Sequence, residues 1–152
     1  MSVLHVHFRV GDSEYVLPAA DVVQMESFSG ATEVPGCAPY VAGVVQIRGR
    51  VIPVIDLRAR FGLSPAARTL DSRVIVVADG SRQVGLLVDS ARQMLRIDAE
   101  AFQPPPEVIR EQSRGFVSSI ARSATGVVLR IDFSRVIGQQ SLPEEQRHGE
   151  QA

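Results

Sequence analysis

Residues 45–62 read VQIRGRVIPVIDLRARFG, and this stretch constrains the fold more than any other in the chain. An Arg-Gly-Arg turn precedes the β-branched run Val51–Ile55, whose composition is typical of a strand buried on both faces. Asp56 then stands at the N-cap position of one helical turn, and Gly62 is placed to end that turn as its C′ residue. The pattern predicts a turn, a core strand and a capped helical turn, and it contains no catalytic signature.

The composition indicates one globular domain. The chain has 152 residues, of which 45% are apolar and 22% are charged, and a chain of this length can bury a sizeable core. Its formal net charge is −1, so no overall field favours nucleic acid or an anionic membrane as a partner. All sixteen basic residues are arginines, which suit planar contacts with carboxylates.

The predicted location is the cytoplasm. Cys37 is the single cysteine, which excludes an intramolecular disulfide and fits a reducing compartment. The N-terminal residues lack the basic region and the apolar run of a signal peptide. No apolar stretch approaches the roughly 20 residues that span a bilayer, so no direct membrane insertion is expected.

The rest of the chain follows a β pattern with short helical turns. Leu4–Val10 alternates apolar and polar residues, and a Gly-Asp-Ser turn leads to a returning strand at Glu14–Leu17. Ala19–Met25 is compatible with either a helical turn or a bent strand. Further strands are predicted at 40–47, 74–77, 84–88, 92–97, 116–120 and 127–131, with a loop at 27–39, a hairpin turn at Asp79-Gly80 and a helical turn at 107–112.

Two recurring spacings suggest an internal repeat. Gly11–Met25 and Gly80–Met94 have the same length and both carry Gln-Met at their end. Ile55–Gly62 and Ile131–Gly138 are also equal in length. A chance match of a few residues is the alternative. The repeat predicts two small β-barrels of similar design joined in one domain.

One domain is predicted to cover residues 1–138. Its two barrel halves are expected at roughly 1–70 and 71–138. Residues 139–152 are polar and charged, so this tail is expected to be frayed or to form a marginal terminal helix.

No catalytic, metal or cofactor site is predicted. His5 and His7 share one strand face and would need a third ligand from elsewhere to hold a metal, so they are interpreted as exposed residues on an outer face. Asp56 and Asp132 each end an apolar run just before a short turn, which helix capping explains better than a catalytic pair. Cys37 has no basic neighbour in sequence that would activate its thiol. Glycine loops that bind phosphate and the serine motif of hydrolases are also absent from the sequence.

An arginine-rich edge gives the alternative function. A small barrel with such an edge can bind single-stranded nucleic acid, usually by stacking bases on aromatic side chains. Aromatic residues make up only 5% of this chain and tryptophan is absent, so nucleic acid is not an expected partner. The arginines concerned are Arg48, Arg50, Arg58 and Arg60.

Five segments match one known family. They are QIRGRVIPVIDLRARFG at 46–62, VIVV at 74–77, VGLLVD at 84–89, the prolines at 104–106 and VVLRID at 127–132. In these segments the chain resembles, over roughly residues 4–138, the CheW-like domains of bacterial chemotaxis coupling proteins. The resemblance implies a mainly β fold of two intertwined five-stranded SH3-like β-barrels that share a hydrophobic core, with short helical turns.

The resemblance also implies a function. Proteins of this family are adaptors without enzymatic activity that link the cytoplasmic tip of methyl-accepting chemoreceptors to the regulatory domain of a CheA-type histidine kinase. The chain is therefore expected to use no cofactor and no small-molecule substrate. It is expected to act in the cytoplasm beside membrane-bound receptor arrays, in chemotaxis or in a pilus or auxiliary pathway.

The partner-binding positions of the family map onto this sequence residue by residue. In the family, the arginine that corresponds to Arg48 commonly faces an acidic residue two positions after the valine that corresponds to Val23. In this chain that position is Met25, and Glu26 follows it. Gln46 stands where the family commonly has asparagine. The sequence therefore leaves open whether Arg48 pairs with Glu26. The mapped positions are Val23, Gly43 and Arg48, with Gly49 and Arg50 in the same turn.

Overall fold

The structure is a computed structural model that describes residues 1–124 and 126–138 and the backbone of 146–147. It is mainly β, as the sequence predicts, with short helices between strands. In chain order the strands are β1 (Ser2–Val10), β2 (Ser13–Pro18), β3 (Val22–Ser27), β4 (Val41–Ile47), β5 (Arg50–Asp56), β6 (Arg73–Asp79), β7 (Arg82–Val88), β8 (Ser90–Asp98), β9 (Val117–Ser123), β10 (Gly126–Ile131) and β11 (Gln146–Arg147). The α-helices are α1 (Leu57–Arg60), α2 (Glu107–Gln112) and α3 (Phe133–Ile137), and 3₁₀ turns occupy Ala19–Asp21 and Ala99–Ala101.

The two sheets are intertwined along the chain. The first has the strand order β8-β1-β2-β10-β9, and the second has the order β3-β6-β7-β5, with β4 and β11 also paired to β5. Each sheet joins early and late strands through one parallel pair, β2 with β10 or β5 with β7, and one antiparallel pair, β1 with β8 or β3 with β6. Because both sheets take strands from both sides of residue 70, the predicted halves 1–70 and 71–138 do not correspond to the two sheets.

Equivalent hydrogen bonds reveal the internal repeat. The backbone N–H of Asp56 donates to the Tyr40 carbonyl oxygen, and the N–H of Asp132 donates to the Phe116 carbonyl oxygen. Both N···O distances are 2.8 Å. The isolated bridges Thr32–Val44 and Gln103–Ile120 form a second equivalent pair. The order hairpin, single strand, hairpin thus occurs twice, and each time it ends in a short closing helix, α1 or α3.

The core has a shared layer and one further layer inside each sheet. In β5, Ile55 belongs to the shared cluster, which combines residues of both sheets. On the opposite face of the same strand, Ile52 and Val54 belong to a cluster made by the second sheet. The first sheet has its own cluster, which includes Val16 and Val128. The prediction that β5 is buried on both faces is therefore confirmed.

The predicted caps form at both closing helices. The Asp56 carboxylate accepts a hydrogen bond from the backbone N–H of Arg58 at 3.0 Å. The Asp132 carboxylate accepts one from the N–H of Arg135 at 3.3 Å. Gly62 follows α1 with a φ of 77°, a left-handed conformation that suits glycine at C′. Capping therefore accounts for both aspartates.

The exposed position predicted for His5 is wrong. Its side chain is 1% exposed because Phe102, from the segment after β8, covers it at a ring-centroid distance of 5.1 Å. Phe102 is remote in sequence, so the alternation within β1 alone could not reveal this cover.

The structure also answers the two open predictions for Ala19–Met25 and for part of the C-terminal tail. Ala19–Met25 contains both alternatives, a 3₁₀ turn followed directly by β3. In the tail, Gln146 and Arg147 form neither a frayed end nor a helix but pair antiparallel with Val51 and Arg50. The other residues of the 139–152 tail lie outside the described residues. Of the helices that the structure describes, none is long and apolar enough to cross a membrane.

Candidate partner-binding surface

The Arg48 turn is a two-residue hairpin loop between β4 and β5. Ile47 pairs with Arg50, and the two loop residues both have positive φ, 51° for Arg48 and 81° for Gly49. This is the pattern of a type I′ turn, which favours Asn or Gly at its first central position. A non-glycine residue in this region costs about 1–2 kcal/mol. Arg48 is also exposed, so neither the turn geometry nor core packing explains the arginine.

Glu26 does not neutralise Arg48. Among the described residues, no ion pair or hydrogen bond joins the two side chains, which answers the question that the sequence left open. Glu26 is half-buried and lines a groove with Gln46 and Ile47, the two residues that precede Arg48. The guanidinium of Arg48 is therefore available to an acidic group from outside the chain.

An open groove of about 520 Å³ lies between the end of β3 and the edge of β4. One wall is formed by Glu26–Thr32 and the other by Val44–Ile47. Within the described strands, β3 pairs with β6 alone and β4 pairs with β5 alone, so both are edge strands. Apart from the Thr32–Val44 bridge, no described pairing closes this side of the second sheet.

Apolar side chains project from the exposed face of β3, the strand whose end borders this groove. Val23 is 46% exposed and Met25 is 39% exposed, while the alternate residues Val22, Gln24 and Glu26 are half-buried. An exposed valine and methionine on an edge strand have the composition of a protein-binding patch.

Gly43 lies below this surface and does not form part of it. Its φ is 136°, and a Cβ atom at this position would overlap the Thr32 carbonyl oxygen and come within 2.7 Å of the Thr32 carbonyl carbon. The next residue, Val44, exchanges two backbone hydrogen bonds of 2.9 Å with Thr32. Gly43 is buried and permits the groove wall to pack against β4, while its role as a partner-binding position stays a prediction.

The turn residues and the helical arginines do not form one edge. Gly49 and Arg50 are half-buried. Arg58 donates through Nε to the Asp89 carboxylate at 3.0 Å, and Arg60 donates through Nε to the Val136 carbonyl at 2.7 Å. These internal bonds remove two of the four arginines on which a nucleic-acid site would depend.

The histidines do not form a metal centre with other described residues. No group of three or more His, Cys, Asp or Glu side chains converges in the described part of the chain. His5 Nδ1 lies 2.9 Å from the Val3 carbonyl oxygen, and burial lowers its pKa, which keeps the ring neutral. His7 Nε2 instead lies 2.8 Å from the Glu14 carboxylate.

Residues 28–32 of the groove wall are missed by the sequence interpretation. These residues were expected only as part of a loop, because glycine and proline interrupt any regular pattern there. Their position depends on the Thr32–Val44 bridge and on the absence of a side chain at Gly43. The unusual glycine within a β-branched strand is the one local signal that could have indicated a close backbone approach.

Comparisons with known proteins agree with this fold. A family model described as the CheW-like domain matches residues 5–141. A probable chemotaxis protein CheW from Rhizobium etli is 36% identical, over 76% of this chain and 74% of that protein. The chemotaxis protein CheW of Rhizobium meliloti is 31% identical, over 93% of this chain and 88% of that protein. The crystal structure of the scaffolding protein TtCheW from Thermoanaerobacter tengcongensis is similar with a TM-score of 0.84 and 29% identity, over 92% of this chain and 90% of that chain, and confirms the two-sheet SH3-like fold.

Proposed function

The chain belongs to the family of CheW-like domains, and we propose that it acts as an adaptor without enzymatic activity. In this proposal it joins the cytoplasmic tip of a methyl-accepting chemoreceptor to the regulatory domain of a CheA-type histidine kinase. It does so in the cytoplasm, beside membrane-bound receptor arrays. Chemotaxis is the proposed pathway, with a pilus or auxiliary pathway as its variant.

The exposed Arg48 is the single observation that carries the proposal. Its backbone is held at a φ of 51°, at the tip of a hairpin and without a described acidic partner. A residue retained at a conformational cost, and not used in packing, is a candidate for a functional contact. An arginine at this place supplies a planar pair of donors for a partner carboxylate.

The surroundings of Arg48 favour a protein partner over a small molecule. Val23 and Met25 offer apolar contact area on an edge strand, and the neighbouring groove is open and not enclosed. Small-molecule sites, by contrast, bury most of their ligand in a concave and largely apolar pocket. A receptor helix that presents both apolar residues and a carboxylate would suit the exposed Val23 and Arg48.

Binding measurements test this function. The purified full chain should bind both a receptor cytoplasmic fragment and the kinase regulatory domain in separate calorimetric titrations. Arg48→Glu should weaken receptor binding about tenfold or more, since it replaces attraction by repulsion. Its melting curve should remain close to that of the unchanged protein, because Arg48 is exposed.

Arg122→Glu provides the matched control. Arg122 is an exposed arginine on β9, so this variant changes the net charge equally on the other sheet. It should leave receptor binding unchanged. Failure to bind either partner would reject the adaptor function. Equal losses in the two variants would show a general charge effect, and unfolding of Arg48→Glu would assign Arg48 a structural role.

A further inference from the structure

A second opening lies where α1 and the residues after it meet α2 and the first sheet, and it shares no lining residue with the groove beside the Arg48 hairpin. Its volume is about 240 Å³. The lining is mainly apolar and joins α1, α2, β2 and β10. We define it as the Arg114 pocket, formed by Tyr15, Phe61, Ile109, Arg114, Phe116 and Leu129.

Aromatic rings form the floor of the Arg114 pocket. Tyr15 and Phe61 have ring centroids 5.3 Å apart, and Phe61 and Phe116 have centroids 5.7 Å apart. Ile109 on α2 is 39% exposed and Leu63 on the opposite side is also 39% exposed. Because these apolar side chains are partly exposed and line the same pocket as the aromatic rings, an apolar group that enters the pocket would gain buried area.

The rim of the pocket carries positive charge. Arg60 and Arg114 are its charged lining residues, and no carboxylate belongs to the described lining. Next to it, a polar surface contains Arg110 and Arg135 together with Glu111 and Asp132. Besides Arg60, which is held by the Val136 carbonyl, three arginines against two carboxylates make this region positive on a chain whose formal net charge is −1. The charge therefore complements an acidic partner.

The conformation of Arg114 strengthens this assignment. In the described residues, Arg48 and Arg114 are the two non-glycine residues with positive φ, 51° and 55°. Arg114 follows α2, at a position where glycine or asparagine normally ends a helix. Its carbonyl oxygen accepts a hydrogen bond of 3.3 Å from Nε of Arg135, whereas its own exposed side chain has no described partner. Arg48 and Arg114, whose positive φ angles are energetically unfavourable, thus both lie beside an opening at the surface.

The size of the opening limits its occupant. Pockets for small molecules and cofactors usually measure about 300–1,000 Å³, so 240 Å³ is better matched to one side chain. A single anchor side chain that fills a desolvated pocket is typical of a binding hot spot.

We propose that the Arg114 pocket is a second docking surface, for an acidic peptide segment of a partner protein. One aliphatic or aromatic side chain of the segment enters between Phe61, Ile109 and Leu129. Flanking carboxylates lie over Arg114 and Arg110. Because the pocket shares no lining residue with the groove beside the Arg48 hairpin, both surfaces can be occupied at once. The inference does not depend on the adaptor function.

Peptide titration by two-dimensional NMR tests the proposal. The probe is a blocked pentapeptide with leucine between two pairs of glutamates, added to the ¹⁵N-labelled full chain. Saturable shifts are expected at the amides of Ile109, Phe116 and Leu129. Replacing the leucine by serine, or the four glutamates by glutamines, should remove most of the shifts. Absent shifts, or shifts centred on Gln46–Arg48, would overturn the proposal.

A matched pair of variants separates the pocket from general charge. Arg114→Gly removes the guanidinium and fits the φ of 55°, so the chain should remain folded while peptide affinity falls about tenfold. Arg122→Gln, at an exposed arginine of β9, should leave peptide affinity unchanged. Equal effects of the two variants would overturn the site. Loss of receptor or kinase binding in Arg114→Gly would also overturn it as a separate surface.

Discussion

At two positions, Arg48 and Arg114, the residue present is less favourable for the stability of the fold than glycine or asparagine would be. Arg48 and Arg114 both occupy backbone conformations that glycine or asparagine adopts at lower cost. Exposed arginines gain little from packing, so side-chain packing does not offset the loss of stability at these two positions. Costs of this kind are typical of positions at which a partner contact is needed. The two arginines therefore mark the surfaces at which binding should be sought first.

His5 gives the chain a pH-dependent stability. Burial lowers the pKa of its imidazole, and the charge of Arg130 acts in the same direction, although the bond to the Val3 carbonyl opposes them. The unfolded chain therefore binds more protons at mildly acidic pH. This contribution to stability is complete above the unfolded pKa of about 6.5 and is lost as the pH falls toward the lower folded pKa.

Urea unfolding at pH 7.5 and pH 5.5 measures this effect. The free energy of unfolding of the unchanged protein should decrease at the lower pH, and His5→Leu should reduce the decrease because it removes the titrating group. His5 Nε2 is buried without a described hydrogen-bond partner, so leucine should be tolerated in the apolar surroundings. An equal decrease in both proteins would contradict the assignment to His5.

At the level of elements, the groove depends on two edge strands and one glycine. Gly43→Ala should cost about 3 kcal/mol of unfolding free energy, since it adds an overlap with Thr32 to the strain of alanine at a φ of 136°. Gly30→Ala is the matched control, because Gly30 has a φ of 123° with no atom within 4 Å of a built Cβ. It should cost only the conformational part, about 1 kcal/mol.

Chemical denaturation of the two alanine variants distinguishes these contributions. The difference between their unfolding free energies reports the overlap at Thr32 alone. Gly43→Ala should also weaken the Thr32–Val44 bridge, detectable as faster hydrogen exchange at the two amides. Equal destabilisation by the two variants would show that Gly43 is needed only for its backbone conformation.

Local sequence signals predicted the elements better than their surroundings. The turn at Arg48-Gly49, the buried strand β5 and the cap at Asp56 each depend on neighbouring residues, and the structure contains all three. The burial of His5 depends on Phe102, which reaches it from a segment far along the chain. Periodicity within a strand shows which residues share a face, but it cannot show what covers that face.

For the whole molecule, the repeat predicted two units, whereas the exchange of strands between them was expected only from the family resemblance, which implied intertwined barrels. The hairpin β1–β2 pairs with β10 and β8 of the second half, and β6–β7 pairs with β5 and β3 of the first. Parallel pairs between distant strands leave no local turn signal, since their connection is long. A boundary near residue 70 therefore describes the order of the chain but not the composition of the sheets.

Exchange of strands makes the contact between the two closing helices important for the whole fold. Arg60 at the end of α1 donates through Nε to the Val136 carbonyl of α3 at 2.7 Å. Its guanidinium carbon also lies 4.1 Å from the Tyr40 ring centroid and 4.8 Å from that of Phe116. Tyr40 and Phe116 are equivalent residues of the repeat, so one arginine from the first half bridges both halves.

Replacement of Arg60 should weaken both sheets together. Arg60→Ala should lower the unfolding free energy by about 2–3 kcal/mol through loss of the cation–π contacts and of the bond to Val136. Arg60→Lys should restore only part of this, since lysine keeps the charge but lacks the planar group that stacks between two rings. Urea unfolding followed by tyrosine fluorescence and by circular dichroism should give one coincident transition for each variant. Separate transitions would show that the sheets unfold independently, and a loss below about 0.5 kcal/mol would show that Arg60 is peripheral to their association.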